Sequence, residues 1–446
     1  MFVGWDIKLP GFEYKLGEKN VAIGLSRKWD AREAGREVAR LTLKELSRPP
    51  KCFLLFATIH YVDNGGLDEL LNGVWDVLPE GTPLIGGTVP GFINNFGCFT
   101  RGATAMAVSH SDVDVAVGCG HNTKRNPRKA VEKSTTMLRN EFASSEYVNK
   151  FMLNFVSGPQ LLSIPGIGYK KVITSGIISS VIRSVFNVSH LLFQKGIGRE
   201  DEILEQAVKS LPDYHMILGT SMDDYKGIRN FQFINTEVVT NSLVNLGIST
   251  DMMIDVKTTH GMKKTELNFD ITKLSRNRHF IHSINNKPAI KELSRLLNWP
   301  EDFVSDKTLF NTILYYPISF HYNGREVPVV MPAVFKDSIM APCMIDDGEV
   351  SILTVDGKSL ISSFKECLQK LDITHPEFGL FSTCVTIMQT LGYKINVFRE
   401  EIIRYLGGKP FIMFFSAGEG SYSPTKNLTY ANMSFNSAIF GYGQGN

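Results

Sequence analysis

Three times in this sequence an apolar run of strand character ends in small residues: "TPLIGGTVPGF" at 82–92, "MILGTS" at 216–221 and "FIMFFSAGEG" at 411–420. Each phrase follows a helical pattern, so one structural job recurs and the chain must assemble related units. Around the first phrase, "KCFLLFATIHY" (51–61) reads as a buried strand, and the next stretch sets Leu67, Leu70, Leu71, Val74 and Leu78 on one helical stripe. "PLIGGT", "ATAMAVSH" and "VDVAVGCG" follow as strands, and "NPRKAVEKSTTMLRNEF" as a second helix. A second pass starts at "FMLNFVSG" (151–158), goes through the helix "EDEILEQAVKSL" (200–211) and returns to "YHMILGTS", "RNFQFIN" and "VVTNSLVNLGI". The last quarter gives "ISSFKECLQKL" as helix, "EFGLFSTCVTI" as strand, "INVFREEIIRYLG" as helix, then "PFIMFFSAGEG" and "MSFNSAIFG" as strands.

Strands alternating with helices favour parallel pairing, whereas strands joined by short loops favour antiparallel pairing. The expected class is therefore α/β, with mixed, largely antiparallel sheets flanked by helices; α-β-β-α layering is one form this takes. At 446 residues the chain exceeds what a single core usually serves. Two domains are expected, 1–285 and 286–446.

Composition narrows the function classes. A net charge of +2, with no basic block beyond "KRNPRK" (124–129), gives little support to nucleic-acid binding. The N-terminus lacks a signal-peptide core, and the most apolar stretch, 173–193, is interrupted by serines, Arg183, Asn187 and His190. A cytoplasmic protein without a membrane span is expected. The same stretch puts Ile177, Ile178, Val181, Ile182, Val185 and Phe186 on one side of a helix, facing a partner, a domain interface or the core. Six scattered cysteines show no zinc spacing, which points to reduced, mostly buried thiols.

The repeated phrases supply the candidate site. Backbone N–H groups beside Gly86 and Gly87, with the Thr88 hydroxyl, are able to hold the carboxylate or phosphate of a small ligand, and Gly219, Thr220 and Ser221 repeat that arrangement. The competing reading is steric: a strand end that needs positive φ or close backbone approach selects glycine whatever the function. Asp223 follows the second phrase, and Gly418 and Glu419 close the third, offering carboxylates for an ammonium or hydroxyl group; a solvated turn is the alternative for Asp223. His260 sits at a strand-to-turn junction, where it either serves a ligand or satisfies a loop carbonyl. No nucleotide-binding glycine pattern follows a strand, GxSxG is absent, and Cys384 lies in an apolar run as a small buried hydrophobe, so an enzyme is not expected.

The order "PLIGGT", "HMILGTSMDDYKGIRNFQFIN", "THGMKKTELNFDITK", "NKPAIKELSRLL", "KPFIMFFSAGEG" and "TYANMSFNSAIFG" resembles that of FIST-domain proteins over nearly the whole chain. The resemblance implies FIST N-like and FIST C-like domains in a sensory, small-ligand-binding unit of signal transduction, with a small polar molecule such as an amino acid as ligand. It also implies a separate signalling partner, because no output segment is recognisable in the chain. Haem-bearing relatives make haem an alternative, with His260 and then His190 as axial candidates; no cofactor is the expectation. Family members tend to carry cysteine and then arginine near "FSTCVTIMQTLG", where this chain has Thr383 or Cys384 and then Thr386, and the segment 158–199 is longer than the family's link. A scaffold in which the glycines only pack strands is the competing class.

Overall fold

The computed structural model describes residues 17–161, 163, 166, 168–300, 303–313, 315–322 and 325–443. The protein is mixed α/β, with mostly antiparallel sheets flanked by helices. Its first unit comprises β1 (Val21–Ser26), α1 (Ala31–Leu43), β2 (Cys52–Ala57), α2 (Leu67–Trp75), β3 (Leu84–Thr88), a hairpin of β4 (Phe92–Asn94) and β5 (Gly97–Phe99), and β6 (Ala103–Val108). The second comprises β7 (Val113–His121), α3 (Pro127–Glu141), β8 (Asn149–Ser157), then β9 (Val172–Ile173) and α4 (Gly176–Val188) as additions, and α5 (Glu200–Ser210). It continues with β10 (His215–Ser221), a hairpin of β11 (Gln232–Ile234) and β12 (Glu237–Val239), and β13 (Ser242–Thr250).

The third unit is split. Its first strand is β14 (Met253–His260); strands β15 to β22 and helices α6 and α7, all between Lys263 and Thr354, intervene and build a fourth sheet. The unit resumes with α8 (Gly357–Gln369), β23 (His375–Cys384), α9 (Val385–Leu391), α10 (Asn396–Leu406), β24 (Phe411–Ser416), a hairpin of β25 (Glu419–Ser423) and β26 (Lys426–Ala431), and β27 (Ser434–Tyr442). Residue 285 lies in the turn between β16 (Phe280–Ile284) and β17 (Lys287–Pro288), inside the fourth sheet.

The three units share one topology and exchange hairpins in a closed cycle. The sheet orders are β1-β6-β2-β3-β11-β12, β7-β13-β8-β10-β25-β26 and β14-β27-β23-β24-β4-β5. Each contains one parallel pair, β2/β3, β8/β10 or β23/β24, and each is completed at its edge by another unit's hairpin. Two strands that are neighbours in sequence are not neighbours in space: β6 and β7, separated by 109–112, belong to different sheets, as do β13 and β14. The expectation that short loops mark paired strands is corrected there, because the chain turns a corner from one sheet into the next.

The units cohere through a common core. Phe56, Phe155 and Phe414, one from each unit, meet with ring centroids 4.6 to 5.5 Å apart, and the apolar cluster around them draws on all three sheets. The outer face of each sheet is covered by its own helices, α1 and α2, α3 and α5, or α8 to α10. All three sheets face this core with their helices outside, and the exchange of hairpins closes them into a ring.

Local signals explain the elements. Asp30 caps α1 by accepting from the Glu33 N–H, and Asn126 caps α3 ahead of Pro127 at the first helical position. Within "FSTCVTI" the strand ends at Cys384 and α9 begins at Val385, so Thr386 sits in a first helical turn and not in the strand expected. The cysteines are free and, apart from the half-buried Cys98, buried. Among the described residues no helix is long and apolar enough to cross a membrane.

Candidate functional site

The repeated phrases lie where the chain leaves its own sheet for the hairpin it lends to another unit, and they stitch the ring. The Met222 N–H donates to the Thr88 carbonyl at 2.9 Å, the Ala417 N–H to the Thr220 hydroxyl at 2.9 Å, and the Phe415 N–H to the Gly91 carbonyl at 3.1 Å. Gly86 and Gly87 are flanked by β2 and β11, both with φ of +155°. A Cβ on Gly86 would collide with the Leu55 carbonyl, and one on Gly87 with the Phe231 carbonyl. A Cβ on Gly219 would meet the Phe414 ring. The Thr88 hydroxyl accepts the Phe231 N–H at 3.0 Å, and Ser221 joins a buried network with Asn230 and Gln232.

Asp223 is a turn residue with a defined task. Its carboxylate accepts the N–H groups of Gly227, Ile228 and Arg229 at 2.7 to 3.0 Å and is almost wholly buried. Asp223→Ala leaves three donors unmatched and is expected to cost about 1–3 kcal/mol in urea unfolding; an unchanged midpoint would remove this role. His260 stands exposed at the end of β14, opposite Ser434. Gly418 lies against the Glu200 carboxylate. Glu419 is fully buried, accepts from the Ser416 hydroxyl at 2.6 Å, and is pushed well above the carboxylate range by burial.

Beside these strand ends is a cavity of about 420 Å³, inside the span of roughly 300–1,000 Å³ usual for small-molecule sites. Its walls come largely from the two parts of the chain that stand outside the threefold pattern. The segment 158–199 supplies Leu161, Val181, Ile182, Val185 and Phe186, and the insertion supplies Val330 to Ala333, Phe335 and Met340. The ring contributes Met222, Tyr225, Cys384, Val385, Thr386 and Ala417. None of the ten residues singled out from the sequence lines it, although Thr220, Gly418 and Glu419 stand directly behind Ala417. Cys384 and Thr386 do line it, and the Thr386 hydroxyl lies 3.0 Å from the Cys384 sulfur. Burial pushes that thiol far up, which leaves it protonated.

Charged groups in the wall are Glu200, the first residue of α5, and Lys170, Lys171 and Lys226; Glu200 is the buried carboxyl. It lines the cavity, is 4% exposed, and its Oε2 has no hydrogen-bond partner among the described residues. Burial, reinforced by Asp201, pushes its carboxyl up to about 8. Asp201 is likewise pushed up to about 7 by burial. Lys124 is fully buried and donates to the Gly158 carbonyl at 2.9 Å and to Gln160 at 3.3 Å; burial brings it down to about 7. Sequence reasoning missed this group because acidic residues opening a helix are expected for the helix dipole alone. Among the described residues no set of three His, Cys, Asp or Glu is arranged for a metal ion.

The profile of the FIST N domain matches residues 51–287, more than half of the chain. The protein belongs to the FIST family. Its domain is a sensory domain of signal transduction rather than a catalytic one. The FIST N match runs from the second strand of the first unit, through the whole second unit and the first strand of the third, to β17. No curated protein matches the sequence.

Proposed function

We propose that this FIST protein is a cytoplasmic small-ligand sensor whose ligand occupies the cavity above the strand ends. The single observation that carries the reading is the apolar cavity with one unmatched buried carboxyl, Glu200, in its wall. Such a site takes a compact molecule with an apolar body and an ammonium or hydroxyl head; among amino acids it favours those with large apolar side chains. A hydroxyl or ammonium supplies the partner that Glu200 lacks, and an ammonium also favours the ionised form of that carboxyl. Thr383 or Cys384, and then Thr386, stand where family members tend to carry cysteine and arginine, so no guanidinium is offered there to pair a ligand carboxylate. Residues 286–446 act as the FIST C-like part by supplying the opposite wall, and movement of the insertion against the ring is the signal a partner reads. No described residue of the lining is a histidine and His260 is exposed at the sheet edge, while the His190 side chain lies outside the described residues; a small ligand with an ammonium or hydroxyl head is therefore preferred here to haem.

A thermal-shift series of apolar amines, the matching alcohols and apolar amino acids tests this reading. A ligand at 100 times its Kd is expected to stabilise the protein by about 2.7 kcal/mol. Glu200→Gln should remove the preference for amines, and Ala417→Leu, which fills the cavity, should weaken every member. Absence of any shift, or shifts indifferent to Ala417→Leu, would defeat the proposal.

A further inference from the structure

Helix α4 walls the cavity with one side and leaves the other uncovered. Ser175 caps it by accepting from the Ile178 N–H, and a π-helical turn, Ser189–Phe193, extends it. Of the six residues expected on one side, Phe186 is buried and Ile178 and Ile182 pack inward, while Ile177, Val181 and Val185 remain exposed. Beyond the cavity side the apolar row faces outward: Ile177 is 81% exposed, Leu192 66% and Phe193 58%, with Val188 and Leu191 beside them. This face is held in place. The Arg125 guanidinium donates to the Leu191 carbonyl at 2.6 Å, Gln194 donates to Asn122 at 2.6 Å, and the Ser189 hydroxyl bonds the Phe186 and Lys195 carbonyls.

Between Glu146 and Glu200 the chain carries no acidic residue; of the cations in that stretch, Lys195 is exposed beside the face, Lys170 and Lys171 line the cavity, Arg183 donates to the Phe335 carbonyl and Arg199 is paired with Glu202. Arg125 and Lys195 flank the C-terminal end of the apolar row, and Lys336 approaches Gly176 at the other end, where Asp337 is the acidic neighbour at 3.8 Å. An apolar helical face rimmed by basic side chains matches an anionic lipid surface, where the apolar groups enter the headgroup boundary and the cations meet the lipid charge. A symmetric dimer through this face would bring the same basic groups of two copies together, which electrostatics opposes.

We propose that the outer face of α4 and its π-helical extension docks the protein on the surface of an anionic bilayer, without crossing it. This goes beyond the ligand reading and does not depend on it. Because α4 also walls the cavity, docking sets that cavity beside the lipid surface.

Flotation of the full-length protein with vesicles of phosphatidylcholine alone, or mixed with phosphatidylserine, tests the proposal. Recovery is expected with the anionic vesicles and should fall as salt is raised. The Leu192→Asp/Phe193→Asp double variant, altered only at exposed positions, should bind at least about tenfold more weakly while keeping its thermal midpoint. Lys195→Glu should weaken binding to anionic vesicles selectively. The proposal is overturned if the wild type stays unbound, if it binds neutral vesicles equally well, or if the double variant floats like the wild type. Concentration-dependent self-association that the double variant abolishes, without flotation, would assign the face to a second copy instead.

Discussion

Phe414→Ala is expected to lower the unfolding free energy by about 3–5 kcal/mol, the usual cost of removing a buried phenylalanine ring. The ring is 1% exposed, stacks on Phe56 at 4.6 Å and meets Phe155 edge-on at 5.5 Å, so its loss opens a cavity where three sheets converge. Gly219 presses on the same ring, which leaves little freedom for neighbours to collapse into the space. The exposed Phe96→Ala is the control and should change stability by less than about 0.5 kcal/mol. Urea unfolding followed by circular dichroism and by fluorescence should show both probes shifting together for Phe414→Ala, because all three units share this core. A transition that splits, with only the third unit melting early, would show that the common core does not couple them.

The second large effect is a pH dependence centred on Glu200. Its folded carboxyl is raised from an ordinary 4.5 to about 8, so the folded state holds a proton that the unfolded chain has released. Stability from this group is fully present below about pH 4.5 and is lost as pH rises through about 8. At roughly 1.4 kcal/mol per unit the loss is on the order of 5 kcal/mol. Asp201 acts in the same direction between its ordinary 3.8 and about 7. Lys124 acts oppositely: brought down from 10.5 to about 7, it contributes stability that is present above pH 10.5 and lost as pH falls through 7. Thermal midpoints of the wild type should therefore fall from pH 5 to pH 8. Glu200→Gln, which has no proton to lose, should match the wild type near pH 5 and exceed it at pH 8. Parallel curves for the two proteins would mean that Glu200 is not held protonated.

Local patterns in the sequence determined a good deal. The strands and helices follow from their apolar periods and caps, as in β2, α2 and α3, and the three small-residue phrases do mark equivalent strand ends. The shortness of the loops misled, because a short loop joins β6 to β7 around a corner as readily as it would join a hairpin. The first strand of the second unit, β7, was therefore read with the first unit. The cyclic exchange of hairpins and the split of the third unit by 263–354 were decided by pairing between residues far apart in the chain, and local pattern carries no record of which edge a hairpin will meet. The same holds for the cavity. Glu200 looks like an ordinary helix-opening acid, Lys124 like part of a polar loop, and Cys384 like packing. What makes them a site is the fold, which removes water from all three and brings the segment 158–199 and the insertion together over one end of the ring.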